Sequence, residues 1–254
     1  MPPSGYSIAQ VTPFGWEEDR ETNRYVHQLS RALAVRGHNV VIVAPSLSRK
    51  LVRDSRALIR AAADDRDLLF GDNAGMPRVL GIGQSLPFPP AKLGGTVALP
   101  IDVSRTLEDL FALDAFDFVH VHEPFAPSAS SAALRMSRTL NVGTFHQATD
   151  RTLSTQVARR FVELFFGRLD ARTANNAVTR DLVRSYFGGN YEIIGQGSEK
   201  AAERPARSAD APVELFLSSS EERAAQRILL RALRKLPRDL QWHATIRTPA
   251  EQPV

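Results

Sequence analysis

The 254-residue sequence predicts an α/β fold with a doubly wound parallel sheet. Short apolar runs alternate with longer segments of helical periodicity along most of the chain, which is the order expected of β-α-β units. Residues 40–44 are apolar at every position, as in a strand that is covered on both faces. Two further short runs, at 118–122 and 142–145, lead into histidines. These observations together define the fold class.

The first β-α-β unit occupies residues 6–44. Residues 6–12 have the composition of a strand, and the apolar positions that follow recur at helical spacing up to Gly37, which suits the C′ position. The strand at 40–44 then follows through a right-handed crossover. The later predicted elements alternate in the same way: a helix at 48–69, strands at 78–82 and 96–99, a helix at 103–113, a strand at 118–122, a helix at 127–138, a strand at 142–145, a helix at 155–168, a strand at 172–174, a helix at 178–186 and a strand at 191–194.

The chain divides into unequal parts. We expect a first domain at 1–197, a linker at 198–211 and a partial second domain at 212–254, because the linker is polar and rich in Ala, Arg, Glu and Pro. Beyond the linker the pattern predicts one β-α-β unit. A unit of about 40 residues is too small to build a two-layer domain alone.

Composition excludes several classes of protein. The sequence has no cysteine, so disulfides, thiolate metal sites and cysteine nucleophiles are absent. It has neither an apolar run of about 18 residues nor an N-terminal signal pattern, so we expect a cytoplasmic protein. The net charge is +4, and arginine makes up all but four of the 32 basic residues. Arginine suits phosphate-bearing partners, but without a zinc-finger, RRM or basic-aromatic pattern we expect no nucleic acid.

A basic stripe marks the predicted helix at 48–69. Its arginines recur at i, i+4, i+7 and i+11, which places them on one face, while apolar residues occupy another. This pattern is typical of a helix that lies on an anionic membrane surface, which would place the protein at the inner face of the membrane. A surface helix packed by its apolar face gives the same pattern. The stripe consists of Arg49, Arg53, Arg56 and Arg60.

Polar side chains follow two of the predicted strands. His122 and Glu123 end one strand, and His146 follows the next. Because open α/β sheets bind ligands beyond the carboxyl ends of their strands, we expect these three residues in one cleft. Structural roles remain open: His122 as a cap, and Glu123, which precedes Pro124, as the cap of the following helix. His120 is expected to face the sheet interior or a covering helix.

The order of the motifs resembles a known family. G-H-N-V, F-V-H-V-H-E-P and G-T-F-H follow one another, and in this order they resemble the N-terminal half of family 4 glycosyltransferases of the GT-B fold, in particular the phosphatidylinositol mannosyltransferase-like branch. The resemblance covers about 1–195, and 212–246 resemble the opening of the second domain. It implies an acceptor-binding first domain, a second domain for a UDP- or GDP-sugar donor, and retaining sugar transfer to a hydroxyl. We expect no cofactor and no metal.

The resemblance also implies roles for single residues. His146 matches a histidine near the donor sugar and is the candidate catalytic residue. His122 and Glu123 match the H-E-P turn on the acceptor side, and Arg151 falls where some relatives have a basic residue near a phosphorylated acceptor. The residue types suit a sugar or phospholipid acceptor, since imidazole can donate to a hydroxyl and arginine can pair with an anionic group.

The sequence departs from the family pattern where donor phosphates bind. Relatives carry a Gly-Gly pair between the first strand and the first helix, where the backbone approaches the phosphates. Here Arg20 and Glu21 stand at about these positions, beside three further carboxylates. In the second domain, Ser219 and Ala224 replace the Arg and Lys that clamp the diphosphate. The turn between the domains reads G-Q-G instead of P-N-G, and the E-x7-E segment has no counterpart before the last residue.

Three functions follow from these observations. The first is a glycosyltransferase-fold protein with weak or no activity alone, because donor-phosphate motifs are lost. The second is an active glycosyltransferase that is completed by a partner or by a missing C-terminal segment. The third is a non-catalytic adaptor or regulator at a membrane surface. An active paralogue or a second copy of the chain is the expected protein partner.

Overall fold

The computed structural model describes residues 5–71, 75–87, 96–98, 100–126, 129–146, 166–197, 212–217, 223–237 and 239–246. The chain forms two compact units, Met1–Gly197 and Ser198–Val254. Within the described ranges, no helix combines the length and the apolar character needed to cross a bilayer.

One sheet organises the first unit. Its strands, within the described residues, are β1 (Ser7–Val11), β2 (Asn39–Ser46), β3 (Arg78–Pro87), β4 (Thr96–Ala98), β5 (Phe118–His122), β6 (Leu140–Phe145), β7 (Ala171–Ala174) and β8 (Glu192–Ile193). The order across the sheet is β4-β3-β2-β1-β5-β6-β7-β8. Only β4 pairs antiparallel, and every other pair is parallel. The predicted doubly wound parallel sheet is therefore confirmed.

The helices of this unit differ in detail from the prediction. Among the residues that the structure describes they are α1 (Glu21–Val35), α2 (Arg49–Ala61), α3 (Pro100–Phe111), α4 (Ala129–Met136) and α5 (Ala177–Phe187). The helix predicted at 48–69 is shorter because a separate 3-10 turn at Arg66–Leu69 follows it, capped by the Asp65 side chain. β3 runs past the predicted end because its last residues pair with β4. The helix predicted at 155–168 lies almost wholly outside the described residues.

The strand order reverses at β1. β1 lies between β2 and β5, so the chain winds outward from it in both directions and leaves a crevice at the carboxyl ends of β1 and β5. Along β5, Val119 and Val121 point into the main apolar core, while His120 and His122 alternate onto the opposite face. A polar array therefore lies on one face of the sheet, at the edge where the topology places ligands.

The second unit is one β-α-β motif within its described residues. Strands β9 (Val213–Leu217) and β10 (Trp242–Ile246) pair in parallel, and α6 (Arg223–Leu233) connects them. The side chains of Phe216 and Ile228 are 68% and 67% exposed. An isolated β-α-β unit has little core of its own, which is the expected reason for this exposure.

Candidate functional site

Three side chains from three adjacent strands form a hydrogen-bonded row. His122 Nδ1 lies 2.9 Å from His146 Nε2, and His122 Nε2 lies 2.8 Å from Gln10 Oε1. His122 and Gln10 are fully buried, and His146 is 7% exposed. With Gln10 Oε1 as acceptor, His122 donates from Nε2 and accepts at Nδ1. His146 then donates from Nε2 and keeps the lone pair of its Nδ1 for another partner.

A second polar branch extends from this row across the sheet. His120 Nε2 lies 2.6 Å from Thr144 Oγ1, and Thr144 Oγ1 lies 2.6 Å from Thr173 Oγ1. The His120 and His122 rings are 4.3 Å apart. His120 thus faces the covered side of the sheet, and its own partner is a threonine of the neighbouring strand. The branch joins β5, β6 and β7 on the same face as the row.

Helix α1 covers the histidines with one aromatic ring. The Tyr25 ring meets the His122 ring edge-on at 5.7 Å and the His146 ring at 4.8 Å. Tyr25 is 6% exposed, and its burial raises the pKa of its hydroxyl. The start of α1 is therefore fixed against the carboxyl ends of β5 and β6.

Glu123 shapes the turn that follows β5. Its φ is 50°, a left-handed conformation that is uncommon outside glycine. Its backbone N–H donates to Thr144 O at 2.9 Å, and its Oε1 accepts from the His146 N–H at 2.8 Å. Glu123 therefore links the ends of β5 and β6. The described part of the following helix, α4, begins at Ala129.

The three histidines are neutral at physiological pH. Burial lowers the pKa of His146 to about 4. Burial, together with the charge of His146, lowers the pKa of His120 to about 3. Burial and the two neighbouring imidazoles hold the pKa of His122 well below its usual range. The cluster can thus exchange hydrogen bonds with hydroxyl groups but supplies no positive charge to a phosphate. Among the described residues, no group of three or more His, Cys, Asp and Glu is arranged to hold a metal ion.

We expect this neutrality to make stability depend on pH. The unfolded chain binds a proton at each histidine below about pH 6.5, while the folded chain does not, so stability is complete above that pH and falls below it. At about pH 5 the loss is about 2 kcal/mol for each buried histidine. Chemical denaturation at about pH 7.5 and about pH 5 should show that His146→Gln loses about 2 kcal/mol less stability than the wild type between these pH values.

The matched control is His27→Gln, which removes an exposed imidazole from α1. A His146→Gln variant that loses as much stability as the wild type between about pH 7.5 and 5 would contradict the neutral cluster.

The loop between β1 and α1 closes around a buried amide. Asn23 is 5% exposed. Its Oδ1 accepts from Thr12 Oγ1 at 2.7 Å, and its Nδ2 donates to Gly15 O at 2.8 Å and to Glu18 O at 3.2 Å. One side chain at the start of α1 therefore fixes both ends of the loop.

The acidic side chains of this loop have internal partners. Within the described residues, Glu17 accepts from the Ser46 hydroxyl and the Leu47 N–H, Glu18 pairs with Arg20 at 3.1 Å, and Asp19 pairs with Arg24. The Arg20 guanidinium also lies 5.1 Å from the centre of the Phe14 ring. The segment 17–24 contains four carboxylates and two guanidinium groups, a net charge of −2. Pairing therefore offsets half of the negative charge.

The predicted site residues have different outcomes. His122, Glu123 and His146 lie together at one sheet edge, and Arg20 and Glu21 lie at the start of α1. Ala224 lies in α6 of the second unit. Arg151 and Ser219 lie outside the described residues.

Three residues of this region were not predicted as site residues: Gln10, Tyr25 and Asn23. The one signal for Gln10 was a polar residue among the apolar positions of β1. Tyr25 lay on the predicted helix and Asn23 in the predicted loop before it, and neither position carried a further signal.

A doubly wound sheet with a polar cluster at its switch point defines a Rossmann-like domain. Residues 22–197 match the model of Glycosyltransferase Family 4, so the chain belongs to this family. The predicted resemblance is thereby confirmed.

Curated relatives share about a quarter of their residues with this chain. The phosphatidyl-myo-inositol mannosyltransferase of Propionibacterium freudenreichii subsp. shermanii is 26% identical over 193 residues, which are 75% of this chain and 46% of that protein. The protein of the same name from Mycolicibacterium smegmatis is 26% identical over 238 residues, 90% of this chain and 55% of that protein. The chain thus spans about half the length of the curated relatives it matches.

Solved glycosyltransferases share the fold. MurG of Acinetobacter baumannii matches with a TM-score of 0.51 at 11% identity, over 97% of this chain and 62% of its own. CalG4, the calicheamicin glycosyltransferase, matches with a TM-score of 0.50 at 14% identity, over 98% of this chain and 67% of CalG4. At these identities the likeness concerns the fold alone.

Proposed function

We propose that this chain is a family 4 glycosyltransferase-fold protein that binds a hydroxyl-bearing acceptor at its histidine cluster and has little or no transfer activity by itself. The family reaction is the transfer of a sugar from a nucleotide sugar to a hydroxyl. The single observation that carries the proposal is the closed acidic loop between β1 and α1. It occupies the place that the resemblance assigns to the donor phosphates.

The acceptor side of the proposal rests on the neutral imidazoles. His146 Nδ1 has no partner among the described residues, whereas its Nε2 lies against His122. A free nitrogen at a sheet edge can exchange a hydrogen bond with a sugar or inositol-type hydroxyl. The Glu123 side chain holds the backbone at this position by accepting from the His146 backbone N–H. An acceptor is therefore recognised by hydrogen bonds, and the expected partner is a sugar or a phospholipid headgroup.

The proposed weak binding of the nucleotide sugar depends on the hydrogen bonds that N–H groups of the loop already make. Three backbone N–H groups of the loop are already bonded: Trp16 to Pro45 O at 2.9 Å, Glu18 to Gly15 O at 3.0 Å and Arg20 to Glu18 O at 2.8 Å. A diphosphate could use these three donors only by displacing their contacts, which leaves it the N-terminus of α1, where Arg20 makes no side-chain capping bond. It would also meet the formal net charge of −2 on segment 17–24, and the repulsion is on the order of 1 kcal/mol or more for each uncompensated unit charge.

A second candidate function follows from the lengths of the relatives. Because the chain spans about half of each curated relative, an active enzyme completed by a partner or by further sequence is the alternative. The two candidates differ in the first unit itself. The proposal places the defect in the β1–α1 loop, whereas the alternative requires a loop that accepts the donor once the other half is supplied.

Turnover measurements test the proposal. The purified chain is incubated with UDP- and GDP-sugars, with and without phosphatidylinositol, the acceptor in the names of the relatives. We expect release of nucleotide at the background rate. Any turnover carried by this site should fall in His146→Gln and persist in the exposed control His27→Gln. Turnover at rates of about 1 per second by the chain alone would contradict the proposal.

A further inference from the structure

A second concave site lies between α2, α3 and β3, and shares no residue with the histidine cluster. Its volume is about 640 Å³. The lining is dominated by basic side chains with a single carboxylate among the described residues: Arg49, Lys50, Arg53, Arg56, Arg60 and Asp102. The arginine stripe of α2 therefore faces a cavity beside α3 and is not a uniformly solvent-facing surface.

Two glycines bring the helices close to β3. A Cβ atom at Gly81 would lie 3.2 Å from atoms of Leu51 and Val52, and one at Gly83 would lie 2.6 Å from Val103 Cγ2. Because neither glycine carries a Cβ atom, α2 and α3 can pack side by side against β3. The cavity is consequently walled by packed elements on more than one side.

Two hydrogen bonds hold the Arg56 side chain in place in the lining of the cavity. Its Nη2 donates to Asp102 and its Nε donates to Thr106 Oγ1 at 3.2 Å. The Arg56 and Asp102 side chains are 36% and 34% exposed, so this pair is partly shielded from water. The single lining carboxylate is therefore already matched by a cation.

The other basic groups keep most of their charge available. Lys50 and Arg53 pair with Asp54 at 3.5 Å and 3.3 Å, but their side chains are 81% and 74% exposed, where such pairs contribute little. Arg49 and Arg60 form no ion pair with any described residue. From residue 49 to residue 60 the helix rises about 16 Å. A row of positive charge of that length lies along one wall of the cavity.

We infer that this cavity binds phosphate groups, presented either by a free phosphorylated molecule or by a lipid headgroup. Arginine side chains bind phosphate oxygens bidentately, and a concave wall lets several of them contact one ligand at once. The inference goes beyond sugar transfer and stands whether or not the histidine cluster is active.

The test is a calorimetric titration of the whole chain with inorganic pyrophosphate. The variant Arg53→Gln/Arg60→Gln removes two exposed charges from the cavity wall. The control Arg31→Gln/Arg36→Gln removes two exposed charges from and beside α1, with the same change in net charge. We expect the cavity variant to weaken binding at least about tenfold and the control to change it less than about twofold.

A second arm identifies the source of the phosphate. Vesicles of phosphatidylcholine, with or without about 30% phosphatidylglycerol, are sedimented with the wild type and both variants. Vesicle binding that pyrophosphate displaces indicates a headgroup, whereas pyrophosphate binding without vesicle binding indicates a free ligand. The inference is overturned by the absence of saturable pyrophosphate binding up to about 10 mM. Equal losses in the two variants, or vesicle binding that pyrophosphate does not displace, overturn it as well.

Discussion

Replacing Asn23 with alanine is expected to lower the free energy of unfolding by about 3 kcal/mol. Asn23 accepts one hydrogen bond and donates two, and all three hold the loop between β1 and α1. Alanine would remove all three bonds: the Thr12 hydroxyl would lose its acceptor, while the carbonyl oxygens of Gly15 and Glu18 would keep only their bonds from backbone N–H groups. Each lost hydrogen bond costs about 1 kcal/mol, and more where a buried group is left unsatisfied.

Urea denaturation followed by circular dichroism measures this loss. Gln28→Ala is the matched control, because it removes an exposed amide from the same helix. Surface replacements of this kind change stability by about 0.5 kcal/mol or less. A loss in Asn23→Ala as small as that in Gln28→Ala would show that the loop does not depend on this side chain.

Pattern and topology were sufficient to predict the framework of the site. Residues 40–44 of β2 are apolar at every position because the strand is central and covered, and this can be read directly from the sequence. His122 and His146 converge because parallel strands end at one edge, so their proximity follows from the fold class. Gly37 ends α1 at a φ of 88°, as its place after the apolar period predicts.

The contacts that complete the site depend on tertiary packing. Gln10 bonds to His122 only because β1 and β5 pair in a register that no local pattern specifies. Tyr25 covers two histidines because α1 docks at a particular angle. Arg56 lay on a predicted basic stripe, and its bond to Asp102, 46 residues later in the chain, was not indicated by the helical pattern. Long-range pairing of this kind is decided by the fold as a whole.

Removing negative charge from the β1–α1 loop is expected to raise its affinity for a nucleotide sugar by about tenfold. The variant Glu18→Gln/Glu21→Gln brings the net charge of segment 17–24 from −2 to zero. Glutamine at position 18 can still accept from Arg20, so the loop keeps its shape. The charge-matched control is Glu108→Gln/Asp109→Asn on the exposed side of α3.

A gain in the control equal to that in the loop variant would mean that overall charge governs affinity. No gain in either would mean that the bonded backbone alone closes the loop. Either result would show that the charge of segment 17–24 is not the cause of weak donor binding.

A calorimetric titration of the wild-type chain with UDP- and GDP-sugars tests the central claim most directly. The account predicts no saturable heat up to about 1 mM nucleotide sugar, because the loop between β1 and α1 is closed by its own side chains. Saturable binding at about 1 μM to 10 μM by the wild type would contradict it.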